Sequence, residues 1–394
     1  MDRNYLKERY YKHFGEAENI EFSFCPYRIC PLGAHSDHQH GYVSGFAINY
    51  GIYVVYEVQK DSICTVVSHN YKDRKRFVVN EVLEKKNDWA DYIRGAVVVL
   101  QHHKYNLTKG ITAYIYGEIP TGGLSSSAAV IISFMRAIAN ANGFSLTNDE
   151  LINYSYEAET EFIGMNIGKL DQSCEVLSKK DKLLVLDTSN GEYEVVEMEK
   201  ESKPFKLLVI HSGAERTLAG TSFNLRVDEL RAAGFVLLSY ENANKEKFKD
   251  TCLRYVPKEY YDKHKDKLPA NLRKRAEHFY TEFERVLKGK ELWKNGDIEG
   301  FGKLVLESGR SSIENYESGS PLLIDLYNII ATTNGVYGGR FMGGGFNGAC
   351  LAIINPKYEN EIMESIKTRY GELHTDYKDK ISLFLCSTED GVGN

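Results

Sequence analysis

Hydrophobic and polar positions along the chain follow two different periods. Short runs rich in β-branched and aromatic residues predict β-strands, because such side chains fit a pleated and partly buried surface. These runs are residues 51–58, 111–116, 205–211 and 350–354. Residues 130–139 and much of residues 223–304 have helical character instead. The chain is therefore expected to be a mixed α and β protein.

The length of 394 residues exceeds that of a usual single hydrophobic core, so we expect two domains with an extensive interface. A boundary near Pro204 divides the chain into residues 1–204 and residues 205–394. A cleft between two such domains is the first place to look for a functional site.

Composition argues against several classes of function. The formal charge is −6, and the most basic runs, residues 74–76 and 273–275, are short enough to be solvated faces, so nucleic acid is not an expected partner. Seven scattered cysteines lack a CxxC pair or a metal-ligand spacing, which predicts reduced, buried thiols in a cytoplasmic protein. No apolar signal segment opens the sequence, and no run approaches the roughly 20 apolar residues that cross a bilayer, so we expect no membrane role.

A glycine- and serine-rich segment, residues 120–129 (PTGGLSSSAA), leads directly into the helical run at residues 130–139. Glycine allows close backbone approach, and a helix N-terminus presents N–H groups and a positive dipole end to an anion. The segment therefore predicts a phosphate site. A serine-rich N-cap on a buried helix is the alternative, and it would be preferred if this segment stood alone.

Arginine, histidine and aspartate crowd residues 25–41 (CPYRICPLGAHSDHQHG), which we expect to form a loop after a strand. Polar side chains concentrated on a loop suit the recognition of a hydroxylated ligand. A simple surface turn is the alternative interpretation.

A second glycine-rich segment, residues 338–348 (GGRFMGGGFNG), contains a formal GxGxxG pattern. A strand-like run follows it rather than a helix, contrary to the context of dinucleotide-binding proteins, so we reject a dehydrogenase. A plain glycine-rich turn between strands is the alternative.

Taken together and in this order, the three segments resemble the three signature motifs of the GHMP kinases, and residues 25–41 resemble the galactokinase signature. The resemblance continues through residues 89–92, 158–159 and 168–172, so it covers nearly the whole chain. It implies an α+β, two-domain fold with a ribosomal-S5-like N-terminal domain and a ferredoxin-like C-terminal domain. It also implies ATP and Mg²⁺ at the serine-rich segment and a sugar at the first motif. One departure is a segment between Pro120 and Leu124 that is one residue shorter than the usual galactokinase pattern.

The resemblance assigns catalytic roles to two residues. Asp171 matches the family's catalytic aspartate, which would accept or orient the proton of an attacking anomeric hydroxyl. Arg28 would keep that carboxylate ionised and balance the charge of the transferring phosphoryl group. Taken alone, Asp171 would be interpreted as the N-cap of a helix that begins at Gln172.

Ser127 and Glu159 match the family's Mg²⁺ contacts, and both offer the hard oxygen atoms that Mg²⁺ prefers. Taken alone, Glu159 would be a solvated residue on a helix opened by the capping pattern at residues 147–150. The implied ATP and phosphate contacts are Gly122, Gly123, Leu124, Ser125, Ser126, Ser127, Gly343, Gly344 and Gly345.

The implied substrate contacts are Ala34, His35, Asp37, Gly168 and Phe223. Galactokinases usually carry Glu at the position of Ala34, where it grips the sugar's 6-hydroxyl, and Tyr at the position of Phe223. A glutamate in contact with a C6 carboxylate would cost on the order of 4 kcal/mol at an effective dielectric constant of about 20, so its absence makes room for a uronic acid.

The stretches that resemble the galacturonokinase branch of the family are residues 224–227, 274–278 and 311–317. We therefore expect an ATP-dependent kinase that phosphorylates D-galacturonate to its 1-phosphate. A galactokinase with a rebuilt 6-hydroxyl pocket is the main alternative. A non-catalytic, galactokinase-like sugar sensor is a rival from another class, and the presence of Asp171, Ser127 and Glu159 argues against it.

Overall fold

The computed structural model describes residues 1–120, 122–214, 223–243, 247–345 and 348–393. The strands, in chain order, are β1 (Glu21–Ile29), β2 (Tyr42–Val58), β3 (Ile63–Ser68), β4 (Lys75–Val78), β5 (Ile111–Gly117), β6 (Leu183–Asp187), β7 (Tyr193–Val196), β8 (Lys206–His211), β9 (Val336–Phe341), β10 (Ala349–Ile354), β11 (Ser382–Cys386) and β12 (Thr388–Glu389). The α-helices are α1 (Arg3–Phe14), α2 (Asp91–His102), α3 (Ser126–Ala141), α4 (Asn148–Glu157), α5 (Leu170–Leu177), α6 (Phe223–Tyr240), α7 (Lys258–His264), α8 (Ala270–Lys294), α9 (Ile298–Glu314), α10 (Pro321–Ala331) and α11 (Glu359–Leu373). The mixed α and β prediction is confirmed.

The larger sheet is organised around the long strand β2. Its order is β4, β3, β5, β2, β6 and β7, and both β1 and β12 also pair with β2. One part of β2 pairs with β6, where Gly45 faces Leu184, and the other part pairs with β5, where Ile52 faces Gly117. The strands predicted at residues 51–58 and 111–116 therefore lie side by side.

The smaller sheet contains β11, β8, β10 and β9 in that order, and its neighbouring strands are antiparallel. Two of its strands, β8 and β10, confirm the predictions for residues 205–211 and 350–354 to within one residue. The second glycine-rich segment connects β9 to β10, and its first four residues already belong to β9.

Helices α8 and α9 pack between the two sheets. The ring of Trp293 on α8 lies 5.0 Å from that of Phe46 on β2 and 5.4 Å from that of Phe301 on α9, measured between centroids. Val209 of β8 and Leu351 of β10 belong to the same buried cluster, so one hydrophobic core spans both sheets. The expected domain boundary near residue 204 stays a prediction.

The structure also bears on three expectations drawn from composition: the state of the cysteines, the absence of a membrane span and the exposure of the basic runs. All seven cysteines lie among the described residues, and each is a buried free thiol. No helix within the described ranges is both long and apolar enough to span a membrane. The basic run at residues 273–275 is not simply a solvated face, because Arg275 is fully buried and pairs with Glu229 and Glu317.

Candidate active site

Arg28 and Asp171 form an ion pair beside the glycine- and serine-rich segment. Arg28 Nε donates to Asp171 Oδ1 at 2.7 Å, and Arg28 Nη1 donates to the carbonyl oxygen of Gly123 at 2.7 Å. The expectation that Arg28 lies on a loop is wrong, because it lies in β1, opposite Ala47 of β2. Pairing with β2 fixes its backbone just after a shift in the register between Pro26 and Arg28, and the guanidinium group joins the carboxylate to the segment.

Asp171 lies in the first turn of α5. This helix begins at Leu170 and has Lys169 as its N-cap, so the interpretation of Asp171 as an N-cap is wrong. The side chain of Asp171 is 25% exposed, whereas that of Arg28 is almost fully buried. Burial opposes the charge of Arg28, but the charge and hydrogen bond of Asp171 outweigh it and raise the pKa of the guanidinium group. A permanent positive charge therefore holds a partly accessible carboxylate.

Helix α8 holds the backbone of residues 30–41, which we call the histidine loop. Gly33 has a φ of +95°, and a Cβ there would lie 2.5 Å from the Cα of Val43, so the position requires glycine. The Gly33 N–H donates to Glu282 Oε1 at 2.7 Å. The next residue, Ala34, accepts a hydrogen bond at its carbonyl oxygen from His278 Nε2 at 2.9 Å. Two residues one turn apart on α8 thus fix the position of Ala34.

His35 is held between an aromatic ring and a hydroxyl group. Its ring stacks on that of Tyr316, with 4.0 Å between centroids and 6° between planes, and its Nε2 lies 3.3 Å from Oγ of Ser318. Burial lowers the pKa of His35 well below its ordinary value, and the charge of His278 lowers it further. His35 is therefore a neutral imidazole near pH 7.

Asp37 lies against Gly168 in the loop before α5. A Cβ at Gly168 would lie 2.5 Å from Cγ of Asp37, so the close contact between the two residues requires glycine at position 168. Burial raises the pKa of Asp37 to about 6, and the negative charge of Asp171 contributes to the increase. Near pH 7 the group is a carboxylate that can accept hydrogen bonds from hydroxyl groups, but it is close to protonation.

The two glycine-rich segments touch through their backbones. A Cβ at Gly122 would lie 2.9 Å from the Cα of Gly348, and a Cβ at Gly123 would lie 2.9 Å from the carbonyl oxygen of Met342. Gly343 is equally close to Gly123. The structure thus forms one continuous backbone surface from two segments that are distant in sequence.

The second segment is a turn between strands, as the alternative interpretation predicted, but it is also part of this surface. Gly343 and Gly345 have φ angles of +66° and +81°, and Gly344 lies between them. The carbonyl oxygen of Gly345 accepts from the N–H of Ser320 at 2.8 Å, which ties the turn to the start of α10. Three motif residues, Thr121, Phe346 and Asn347, lie outside the described residues.

The serines of the first segment stand at the N-terminus of α3. Ser126 and Ser127 are its first two residues, and Ser125 occupies the N-cap position with a φ of +65°. The alternative of a serine at the N-cap is thus correct in position, but the side chain of Ser125 makes no capping hydrogen bond. The buried Leu124 anchors the segment, because its carbonyl oxygen accepts from the Arg28 N–H at 3.2 Å. The first amides of an α-helix have no intrahelical acceptor, so this end of α3 can bind an anion.

Glu159 lies in a short π-helix, Ala158–Ile163, that continues α4. The predicted capping box is confirmed, since Thr147 and Glu150 bond reciprocally at the start of α4. Glu159 is 4% exposed and accepts a hydrogen bond from Gln172 Nε2 at 2.5 Å, so its interpretation as a solvated residue is wrong. The π-helix contacts α3, which carries Ser127.

The oxygen atoms of Ser127 and Glu159 suit Mg²⁺. In the part of the chain that the structure describes, no three His, Cys, Asp or Glu side chains gather into a metal cage. Mg²⁺ usually binds through one or two carboxylates together with substrate phosphates and water. These two residues therefore fit an ion that shares its coordination with a phosphate ligand.

Sequence analysis missed a buried ion-pair network behind the histidine loop. Glu282 Oε1 accepts from Ser308 Oγ at 2.5 Å, and Glu282 Oε2 accepts from Arg285 Nε at 2.8 Å. Arg340, which lies in β9 three residues before Gly343, has its guanidinium 3.7 Å from Glu282. Burial alone would raise the pKa of Glu282, but the surrounding positive charges, Arg285 first, lower it to about 2. The network connects the histidine loop to β9, which contains the first residues of the second glycine-rich segment.

Phe223 is the first residue of α6, and its side chain lies outside what the structure describes. Its role as a substrate contact stays a prediction. The other residues singled out in the sequence form two adjoining groups, one around Asp37 and Asp171 and one around Gly123, with Arg28 between them.

Several known proteins are similar to this chain in sequence. Residues 91–179 match the family model described as GHMP kinases N terminal domain. A galacturonokinase from Arabidopsis thaliana is 37% identical over 93% of this chain and 92% of its own length. A galactokinase from Clostridium acetobutylicum is 31% identical over 93% of this chain and 92% of its own length.

Solved structures share the fold. Lactococcus lactis galactokinase complexed with galactose matches with a TM-score of 0.89 and 26% identity, covering 98% of each chain. The mevalonate kinase of Methanococcus jannaschii matches with a TM-score of 0.64 and 16% identity, covering 95% of this chain and 99% of its own. These matches confirm the expected α+β fold. The chain therefore belongs to the GHMP kinase family, and its fold is that of the galactokinase-like members.

Proposed function

We propose that the chain is an ATP-dependent sugar kinase that phosphorylates D-galacturonate at its anomeric hydroxyl. The observation that carries this proposal is the double contact of Arg28, which donates to Asp171 and to the Gly123 carbonyl oxygen at 2.7 Å each. It joins a candidate base, a permanent positive charge and a candidate phosphate loop at one point. Phosphoryl transfer depends almost entirely on such positioning and on electrostatic stabilisation.

Each group of this arrangement has a distinct task. Asp171 accepts the proton of the anomeric hydroxyl as that oxygen attacks the γ-phosphorus of ATP, and ADP leaves as the bond from the γ-phosphorus to the β,γ-bridging oxygen breaks. Arg28 keeps Asp171 ionised and stabilises the negative charge on the transferring phosphoryl group. The N-terminus of α3 binds phosphate oxygens through backbone N–H groups. When bound through Ser127 and Glu159, Mg²⁺ supplies further neutralisation of the phosphate charge.

The proposed substrate depends on Ala34. His278 fixes the backbone of Ala34. The methyl group of Ala34 brings no charge to the place where the glutamate usual in the family contacts the C6 group of the sugar. A glutamate there would oppose a C6 carboxylate by roughly 4 kcal/mol, or about a thousandfold in affinity. The 37% identity to a galacturonokinase over 93% of the chain supports the same choice.

Galactose is the second candidate substrate. The TM-score of 0.89 to a galactokinase complexed with galactose, and 31% identity to another galactokinase, favour it. His35 and Asp37 would serve either sugar, because both sugars carry the same ring hydroxyls at C2, C3 and C4.

A panel of sugars tests the proposal. Purified protein is assayed with ATP and Mg²⁺ on galacturonate, galactose, glucuronate and glucose, and the product is examined by ³¹P NMR for an anomeric phosphate. We expect the highest kcat/KM on galacturonate. A preference for galactose would replace the proposal with the galactokinase alternative. Sugar binding without turnover of any sugar would support the non-catalytic sensor.

A further inference from the structure

The segment that follows β11 contacts the helix that carries Asp171. Residues 387–393, which we call the brace, leave the smaller sheet after Cys386 and run to the last turn of α5. Three N–H groups of the brace donate to carbonyl oxygens there: Gly391 to Ser178 at 2.8 Å, Val392 to Glu175 at 2.9 Å and Gly393 to Val176 at 2.9 Å. The last four carbonyl groups of an α-helix have no partner within the helix, so the brace satisfies two of those of α5.

Helix α5 is too short to hold its own position. It has eight residues, whereas isolated helices shorter than about 12–15 residues are only marginally stable in water. Asp171 lies in its first turn, and the N-cap residue, Lys169, makes no side-chain capping hydrogen bond. The position of Asp171 therefore depends on how the rest of α5 is held, and the brace holds its last turn.

The contact between the brace and α5 leaves no room for a side chain. A Cβ at Gly391 or at Gly393 would lie 2.5 Å from the carbonyl oxygen of Val176. Neither glycine has a positive φ, so close packing, rather than backbone conformation, requires glycine at both positions.

The brace also pairs with the strand beside Arg28. Its residue Glu389, in β12, pairs with Ala47 of β2, the same residue that faces Arg28 across the pairing of β1 with β2. The Ala47 N–H donates to Ser178 Oγ at 3.0 Å, which ties this strand to the end of α5. One segment therefore supports the elements behind both members of the ion pair at the centre of the site.

We propose that the brace is a positioning element for catalysis, in which Gly391 and Gly393 set the place of Asp171 relative to Arg28 by holding α5. This inference rests on the proposed function, in which Asp171 is the base. A displacement of about 1 Å at a reacting group can reduce activity by roughly a hundredfold. Neither glycine is itself a catalytic residue, because each acts through the helix.

Gly393→Ala tests this proposal by pushing the brace away from α5. We expect kcat on the preferred sugar to fall roughly 10- to 100-fold, because Asp171 moves with the helix. The KM values for ATP and for the sugar should stay within about twofold of the wild type, since binding groups outside α5 are unchanged. Gly391→Ala should act in the same way. Asp390→Ala removes only the 2.8 Å hydrogen bond from the Lys180 N–H and should have a smaller effect.

Gly191→Ala is the control for a loss of stability alone. Gly191 lies between β6 and β7 with a φ of +80°, and open space surrounds its Cβ position, so alanine strains the backbone without touching α5. We expect a lower melting temperature and an unchanged kcat. A Gly393→Ala variant that folds and keeps the wild-type kcat would overturn the proposal.

Combination with Asp171→Asn separates positioning from a general structural role. If Gly393→Ala acts through Asp171, it should change the residual kcat of Asp171→Asn by less than about twofold. A further loss as large as that seen in the wild type would overturn the proposal. Asp390→Ala, at an exposed position, serves in the same cycle if a glycine variant does not fold.

The same set of variants separates this proposal from the proposed function. Wild-type turnover in Asp171→Asn would overturn the assignment of the base, and the role of the brace with it. A collapse of kcat in Asp171→Asn, together with normal turnover in Gly391→Ala and Gly393→Ala, would overturn the role of the brace alone.

Discussion

The histidine loop and the glycine- and serine-rich segment are built in opposite ways. Side chains from elsewhere in the chain hold the histidine loop, through Glu282 on Gly33, His278 on Ala34 and Tyr316 on His35. The glycine- and serine-rich segment packs its backbone directly against the backbone of the second glycine-rich segment. The two backbones are so close that a Cβ atom at Gly122 or Gly123 would collide with the other segment.

This difference matches what each region has to recognise. Sugars that differ at one carbon are distinguished by side chains of defined shape and charge, and these must be held rigidly from behind. A phosphate group is the same in every nucleotide, so backbone N–H groups are sufficient, and glycine lets them come close. Substitutions in the first region should change which sugar reacts, whereas substitutions in the second should change nucleotide use.

Asp171→Asn, at the point where the two regions meet, should have the largest effect. Asparagine keeps the shape but cannot accept the hydroxyl proton, so we expect kcat to fall by about 10²- to 10⁴-fold, the usual contribution of a general base. Binding of ATP and of the sugar, measured by calorimetry, should stay close to wild type. Turnover at the wild-type rate would remove Asp171 from its assigned role.

Gly123→Ala should have the second-largest effect, and it should act on the use of ATP rather than on sugar binding. The new Cβ would lie 2.9 Å from the Met342 carbonyl oxygen, so the segment has to move, and displacements of about 1 Å can reduce activity by roughly a hundredfold. We expect a higher KM for ATP and a lower kcat, with sugar affinity in the absence of nucleotide unchanged.

Gly143→Ala is the matched control for that variant. Gly143 has a φ of +77°, almost the same as the +78° of Gly123, but open space surrounds its Cβ position. Both substitutions therefore carry a similar backbone strain of about 1–2 kcal/mol, and only Gly123→Ala adds the collision. Equal kinetic effects in the two variants would contradict the role of the close backbone contact.

Glu159→Gln should have a smaller effect, confined to metal use. Loss of the carboxylate charge should raise the Mg²⁺ concentration for half-maximal activity by about tenfold, because one of the few protein ligands becomes neutral. Glu157→Gln, two residues earlier, removes a carboxylate that bonds His103 and serves as the control. An unchanged Mg²⁺ titration in Glu159→Gln would exclude Glu159 from the metal site.

The pH dependence of sugar binding should show the mildest effect. Asp37 has a pKa raised to about 6, so the carboxylate is present above that pH and is lost as the pH falls through it. The protonated group is a poorer acceptor for sugar hydroxyls, so we expect the sugar KM to rise below pH 6 by at most about tenfold per pH unit, while the KM for ATP stays constant. A sugar KM that is flat from pH 8 to pH 5 would show that Asp37 does not bind the sugar as a carboxylate.

Local sequence was sufficient to predict strands at residues 51–58, 111–116, 205–211 and 350–354, among the twelve that the structure describes, and the capping box at Thr147. These features depend on periodicity and on short-range turn chemistry. The same approach placed Arg28 on a loop and treated Asp171 as a possible N-cap. Both errors concern the exact residue at which a strand or a helix begins or ends, and tertiary packing decides that residue.

The support behind the histidine loop could not be predicted in the same way. The spacing of His278 and Glu282 puts both on one face of a helix, but the residues that they hold are more than 200 positions away in the sequence. Such contacts are products of tertiary structure.

Ala34→Glu tests the central claim, that the pocket at Ala34 receives a C6 carboxylate, most directly. The measurement is the ratio of kcat/KM for galacturonate to that for galactose in the wild type and in the variant. We predict that the ratio exceeds one in the wild type and falls in Ala34→Glu by up to roughly a thousandfold, less where solvent screens the charge, while galactose activity is kept or gained. A wild type that prefers galactose, or a ratio that does not change in Ala34→Glu, would contradict the account.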